Sequence, residues 1–196
     1  MPRVLVPLAE GFEELEAVTI VDLLRRAKFD VVTAGLIPGP VRASRGMVVV
    51  PDCTLDEAVN PPARADYDLV VLPGGQPGST RLANDPRILG LLQAQQAGGR
   101  YVAAICAAPA VLARAGLLSG KRVTAYPGSL DAAALPDARI EDRAVVCDGR
   151  IITSRGPGTA MDFALMLIET LAGRDARDAV EHGLERPAAH LGAIQT

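Results

Sequence analysis

Four stretches of this chain carry residues whose types could do chemistry: Cys106 in YVAAICAAPAVLA, the acidic group Glu10, Glu13, Glu14 and Glu16 in AEGFEELEA, the pair Gly74-Gly75, and the run SRGPGT from Ser154 to Thr159. Of these, only the first offers a nucleophile. An apolar run precedes Cys106 and Pro109 marks a helix start just beyond it, which aims the sulfur at unpaired N–H groups and a positive helix end. A free thiol of pKa about 8.5 is only about 3% ionised at pH 7, and lowering that value by about three requires roughly 4 kcal/mol. A helix terminus supplies about 0.3 to 2 kcal/mol, so a charge-assisted hydrogen bond to the sulfur, worth about 1.5 to 3 kcal/mol, must be added. A protonated carboxyl group can donate it. Glu16, in the first turn of the first helix, is the acid expected to face the crevice, with Glu13 and Glu14 turned to solvent. An ionised Glu16 would raise the thiol pKa, so the two groups must share a proton and titrate as a pair. Each has a plainer alternative: Cys106 as a small packing residue in an Ala-rich turn, Glu16 as a surface acid complementing a helix dipole.

The other stretches speak more softly. Gly74-Gly75 can present backbone N–H groups as an oxyanion nest or simply turn the chain. SRGPGT is either an anion-binding strand-to-helix loop with Arg155 as its cation or a tight turn before a helix starting at Thr159. Cys53 and Cys147 lie in strand-like stretches and are expected to pack. His182 and His190 have no ligand-spaced partners, so no metal site is expected. Neither GxGxxG nor GxxxxGK[ST] occurs, which leaves nucleotide cofactors without support.

Positioning these residues requires strands that alternate with helices. Residues 3–9 form a strand, and EELEAVTIVDLLRRA places Ala17, Ile20, Val21, Leu24 and Ala27 at helical spacing. DVVTAGL is a second strand, VRASRGMVVVPD two short extended pieces about Arg45-Gly46, and TLDEAV a short helix. NPPARADYD is a polar loop, DLVVLP a strand buried on both faces, and Asp85-Pro86 to Gly98-Gly99 bracket a helix. YVAAIC and KRVTAY are further strands around a helix running to about Gly116, with the loop PGSLDAAALPD following. AVVCDGRIITS predicts a type I′ hairpin at Asp148-Gly149. A last long helix, with Thr159 and Asp162 in a capping-box-like pattern, is expected to bury Met161, Ala164, Leu165, Ile168, Leu171 and Ala172, and GRDARDAVEHGLE adds one more helix. The pattern is an α/β fold with a mostly parallel sheet and a late β-hairpin, in which the carboxyl ends of the strands converge on one crevice. Residues 1–185 make one domain and residues 186–196 a tail.

Composition agrees with such a fold. The chain has 196 residues, 49% of them hydrophobic, with no apolar stretch approaching the roughly 18 to 20 residues of a membrane span. A net charge of −3 and 3% aromatics offer no footprint for nucleic acid. Three cysteines without CxxC spacing, and a chain that begins directly as a strand, point to the reducing cytoplasm.

Taken in order, EGFEELEAVTIVDLLRRA, SRG, YDLVVLPGG, AAICAAPAVLA and TSRGPGTAMDFAL resemble the ThiJ/PfpI superfamily, in the branch holding the Parkinson-associated protein deglycase and bacterial YajL. The resemblance implies a flavodoxin-like three-layer sandwich, Cys106 at a strained nucleophile elbow, Glu16 hydrogen-bonded to it, and the N–H groups of Gly75 and Ala107 beside it. It also implies a homodimer through the first helix, with Arg26, Arg45 and Arg155 near the interface or an anion-accepting pocket. Where many animal members carry a histidine, VTAYPGSLD carries Tyr126, which either caps the pocket or packs. The activity implied is a cofactor-independent conversion of 2-oxoaldehydes such as methylglyoxal, or of their protein and nucleotide adducts, to 2-hydroxy acids. The alternative is a redox-responsive chaperone or sensor acting through oxidation of Cys106. Proteolysis is disfavoured, because Ala107 stands where some peptidases of the superfamily place a histidine.

Overall fold

The computed structural model describes residues 1–60 and 67–186. Its central sheet has seven strands: β1 (Arg3–Leu8), β2 (Asp30–Gly35), β5 (Cys53–Thr54), β6 (Leu69–Leu72), β7 (Tyr101–Ile105), β10 (Val145–Asp148) and β11 (Ile151–Ser154). Their spatial order is β10-β11-β7-β6-β1-β2-β5, all neighbours parallel except the hairpin pair β10–β11. Without the two outer strands the order is that of a flavodoxin-like sheet, whose direction of winding reverses between β1 and β6. Two small sheets lie outside it: β3 (Val41–Arg42) with β4 (Val48–Val49), and β8 (Arg122–Val123) with β9 (Arg139–Ile140).

Helices cover both faces because a central strand such as β6 is apolar at every position. In β6, Leu69 and Val71 join one core cluster while Val70 and Leu72 join the other, as the two-residue period of a strand requires. The first cluster packs under α1 (Glu14–Arg26), α6 (Ala160–Ala172) and α7 (Arg174–His182), through Ile20, Leu24, Phe163, Leu167 and Val180 among others. The second packs under α2 (Leu55–Val59), α3 (Gln76–Ala83), α4 (Pro86–Ala97) and α5 (Pro109–Arg114), through Leu55, Leu82, Ile88, Leu92 and Val111. Each of these large side chains contributes about 1.5 to 3 kcal/mol on leaving water. Caps fix the helix starts: Thr54 and Glu57 make a reciprocal capping box, and the Asp85 side chain accepts from the Arg87 N–H beside Pro86. No helix among the described residues is long and apolar enough to cross a membrane.

Several expectations need correction. The two-residue loop of the hairpin is Gly149–Arg150, with positive φ at Gly149 alone, so it lacks the second positive φ of a type I′ turn. KRVTAY keeps only two residues as strand, because its next residues leave the ladder to carry Tyr126 to the site. Helix α3 escaped the reading, since Gln76-Pro77-Gly78 looks like loop although Pro at the second helical position suits a helix start. Met161 and Ala172 are exposed, and Phe163 and Leu167 take the inward positions of α6. Thr159 makes no cap to that helix; its hydroxyl meets Ser154 Oγ at 2.7 Å and accepts from the Gly156 N–H at 3.1 Å. Tyr67, read within a polar loop, is fully buried and donates its hydroxyl to the Ala58 carbonyl at 3.0 Å. Cys147 is exposed on the edge strand rather than packed. Residues 61–66 of that polar loop, His190 and residues 187–196 of the expected tail lie outside the described residues.

Candidate active site

Three neighbouring strands end at one point. Strand β1 leads to Glu16 in α1, β6 to Gly74 and Gly75, and β7 to Cys106, so the site straddles the place where the sheet reverses its winding. Cys106 adopts a left-handed φ of 63°, which costs a side-chain-bearing residue on the order of 1 to 3 kcal/mol and persists only where its surroundings impose it. Here the neighbours on either side do so. The Cys106 N–H donates to the Ser154 carbonyl at 2.9 Å, and its own carbonyl accepts from the Tyr126 N–H at 2.8 Å and the Ser129 hydroxyl at 3.3 Å.

Glycine is required on the facing wall. A Cβ on Gly74 would stand 2.6 Å from Cys106 Cβ and 2.7 Å from Glu16 Oε2. Gly75 combines a φ of 89° with close approach to the backbone of Gly11, Phe12 and Glu13. The close fit leaves the Gly74 N–H free to donate to Glu16 Oε2 at 2.7 Å. Glu16 is completely buried, and its second oxygen, Oε1, makes no hydrogen bond to nitrogen or oxygen. The Cys106 thiol is the side chain beside that carboxyl group.

Burial pushes the Glu16 carboxyl up to about 7, against the Gly74 N–H and the thiol, which favour its ionised form. Burial likewise pushes the Cys106 thiol up to about 12, reinforced by the charge of Glu16 and opposed by the N–H groups of Gly75 and Ala107. The value near 12 is that of a sulfur facing a carboxyl already ionised. The pair therefore holds a single negative charge from about pH 7 upward and resists a second. Two backbone donors serve the sulfur and one serves the carboxyl, an arrangement in which the remaining proton is shared between Glu16 and the sulfur. A neutral carboxyl with a proton to donate is also the form that an oxygen without other partners tolerates in a buried site.

The structure thus brings Cys106, Glu16, Gly75 and Ala107 together. The Tyr126 ring lies against Gly156 and is half exposed. Arg155 is committed to Asp142 at 2.6 Å. Arg45 sits on the turn between β3 and β4 with its side chain exposed, and its N–H donates to Glu14 Oε1 at 2.9 Å. Arg26 pairs with Asp22 on its own helix at 2.7 Å. No contact among the described residues joins these three arginines to Cys106. Glu13 and Glu14 are half-buried rather than turned freely to water, both accepting from the Ser44 hydroxyl. Helix α5 plays a smaller part than its sequence suggests, because the Ala108 N–H is already bonded to the Ile105 carbonyl at 3.0 Å. Ser129 and Ser154 brace the elbow from far along the chain, and no local pattern marks Ser129. Among the described residues no group of three metal-ligating side chains occurs.

A parallel sheet that delivers one cysteine at a strained turn against a buried carboxyl group defines a flavodoxin-like protein with a cysteine at the carboxyl end of its sheet. The chain belongs to the DJ-1/PfpI family, whose model matches residues 2–170. It is 46% identical to Protein DJ-1alpha of Drosophila melanogaster over 177 residues, covering 90% of this chain and 80% of the relative. It is 37% identical to the glutathione-independent glyoxalase DJR-1.2 of Caenorhabditis elegans over 171 residues, covering 87% and 89%. Among solved structures it superposes on Drosophila melanogaster DJ-1beta with a TM-score of 0.86 at 43% identity, covering 93% of this chain and 97% of that one. Oxidized Toxoplasma gondii DJ-1 superposes with a TM-score of 0.85 at 38% identity, covering 94% and 98%.

Proposed function

We propose that the protein is a cofactor-independent enzyme that converts 2-oxoaldehydes such as methylglyoxal, or their early adducts, to 2-hydroxy acids. The observation that carries this reading is the buried Glu16 Oε1, without a nitrogen or oxygen partner, beside the Cys106 thiol. Thiolate sulfur attacks the aldehyde carbon, and the proton on Glu16 passes to the new alkoxide to give a hemithioacetal. The Glu16 carboxylate then removes the C1 hydrogen and returns a proton at C2. That step oxidises C1 to a thioester and reduces C2 to an alcohol, with no outside oxidant. Water cleaves the thioester, releasing the acid and restoring the thiol and carboxyl pair. The N–H groups of Gly75 and Ala107 receive negative charge at the sulfur. On an adduct, the same steps begin with release of the amine or thiol.

The name of the glyoxalase relative supports this chemistry. Exposed Leu15 and Val18 on α1 support a homodimer packed through that helix. Lactate formed from methylglyoxal is the test: wild type is expected to produce it at a rate proportional to protein, and Cys106→Ser to match buffer. Equal lactate from both proteins rejects the reading.

A second reading, a sensor switched by oxidation of Cys106, is favoured by the 9% exposure of that residue, enough to admit a peroxide, and by the oxidized Toxoplasma structure. It predicts peroxide-dependent protection of an aggregating client without turnover.

A further inference from the structure

A groove on the far side of the β1 and β2 ends contains none of the residues assigned to the chemistry above. It encloses about 820 Å³ near the carboxyl ends of β1 and β2, a volume suited to a ligand of small-molecule size. Its apolar wall is Leu8, Leu36, Ile37, Pro40, Val41 and Val48, of which Ile37 and Val48 are exposed. Three arginines share the lining. Arg87 is fully engaged: it meets Asp85 at 2.6 Å, Asp56 at 2.9 Å and the Leu36 carbonyl at 2.9 Å, so it is a fixed part of the wall.

Arg42 and Arg81 differ from it. Each gives one N–H to a backbone carbonyl, Arg42 to Gly46 at 3.3 Å and Arg81 to Glu10 at 3.0 Å. Neither forms an ion pair among the described residues. A guanidinium has five N–H donors, so each arginine keeps donors for a further acceptor while its backbone bond limits where it can swing. The remaining carboxylate in the lining is that of the exposed Glu10, one negative charge against two positive ones. The groove therefore presents two guanidinium groups without a carboxylate partner among the described residues. An apolar wall beside two tethered cations with spare donors recognises a molecule that is apolar at one end and anionic at the other.

We propose that this groove binds a small organic anion, its carboxylate or phosphate oxygens on Arg42 and Arg81 and its apolar body on Leu36, Ile37 and Val48. Calorimetric titration with 1-naphthoate, 1-naphthyl phosphate and uncharged 1-naphthalenemethanol tests it, using wild type, Arg42→Gln/Arg81→Gln and Glu10→Gln. At least one anion is expected to bind 1:1 in the micromolar to millimolar range, and the tighter one identifies the headgroup. The double variant should weaken it tenfold or more, Glu10→Gln should tighten it severalfold, and the uncharged alcohol should bind at least tenfold more weakly than the anion. Cys106→Ser should bind as wild type does, which separates this site from the reading of Cys106 whatever that variant does to lactate formation. No saturable binding, equal binding of the alcohol, an unchanged affinity in the folded double variant, or loss of binding in Cys106→Ser would each overturn the proposal.

Discussion

Two cysteines stand two strands apart in the same sheet and differ in everything that governs a thiol. Cys147 is the more accessible, on the edge strand β10, yet burial of its sulfur raises its pKa, Arg122 lowers it and Glu169 raises it. Cys106 is nearly buried, and burial raises its pKa as well, but two backbone N–H groups point at its sulfur and a buried acid stands ready to take the proton. Access alone does not make a nucleophile. On the function proposed for Cys106, a fixed place for the negative charge and a neighbour for the proton do, and a left-handed turn and a glycine wall supply both.

The largest effect expected from breaking this difference is on turnover. Glu16→Leu should lower lactate formation by about 10²- to 10⁴-fold, as loss of a general acid-base group does, and shift the pH midpoint of Cys106 alkylation. Cys147→Ala should leave both unchanged. Alkylation of Cys106 with the same midpoint in wild type and Glu16→Leu would erase the proposed role of the acid.

Stability should show the next effect. The folded pKa of Glu16 lies above its ordinary value, so the fold binds the proton more tightly than the unfolded chain does. Its contribution is fully present below about pH 4.5 and is lost as pH rises through about 7, a fall of about 3 kcal/mol at about 1.4 kcal/mol per tenfold. Urea unfolding across that window should show this decline in wild type and a flatter profile in Glu16→Gln. A wild-type profile that rises there would contradict the burial of a neutral acid.

Labelling selectivity is the smallest of the three. At pH 7 iodoacetamide should modify Cys106 at least tenfold faster than Cys147, despite the lower exposure of Cys106, because Cys106 has two backbone N–H donors on its sulfur and a buried acid to share its proton while Cys147 has neither among the described residues. Peptide mapping of a timed reaction reads the ratio, and faster modification of Cys147 would reverse the comparison.

Much of this architecture is readable in the chain. Apolar runs such as Leu69–Leu72 and Tyr101–Ile105, bounded by Gly and Pro, specify buried strands through local periodicity. Glu16 and Cys106 are conspicuous as an acid and a thiol at the ends of such strands. Other parts depend on contacts distant in sequence, which periodicity does not encode. Ser129 reaches the Cys106 carbonyl across 23 residues, and Thr159 forgoes its helix cap for Ser154 and Gly156. Arg155 looks like a free anion receptor until Asp142 is seen against it. Tyr67 resembles loop because its neighbours are polar, although Gln95 and Ala58 enclose its polar atoms in the core.

The bond from the Cys106 amide to Ser154 extends the ladder that pairs Ile105 with the same residue of β11. A slip of one position between those strands would turn every side chain of β7 to the opposite layer and carry the sulfur away from its acid. Alignment of the hydrophobic layers and alignment of the reactive atoms are consequently one and the same constraint. Substitutions that loosen packing near β7 or β11 can silence the thiol without touching it.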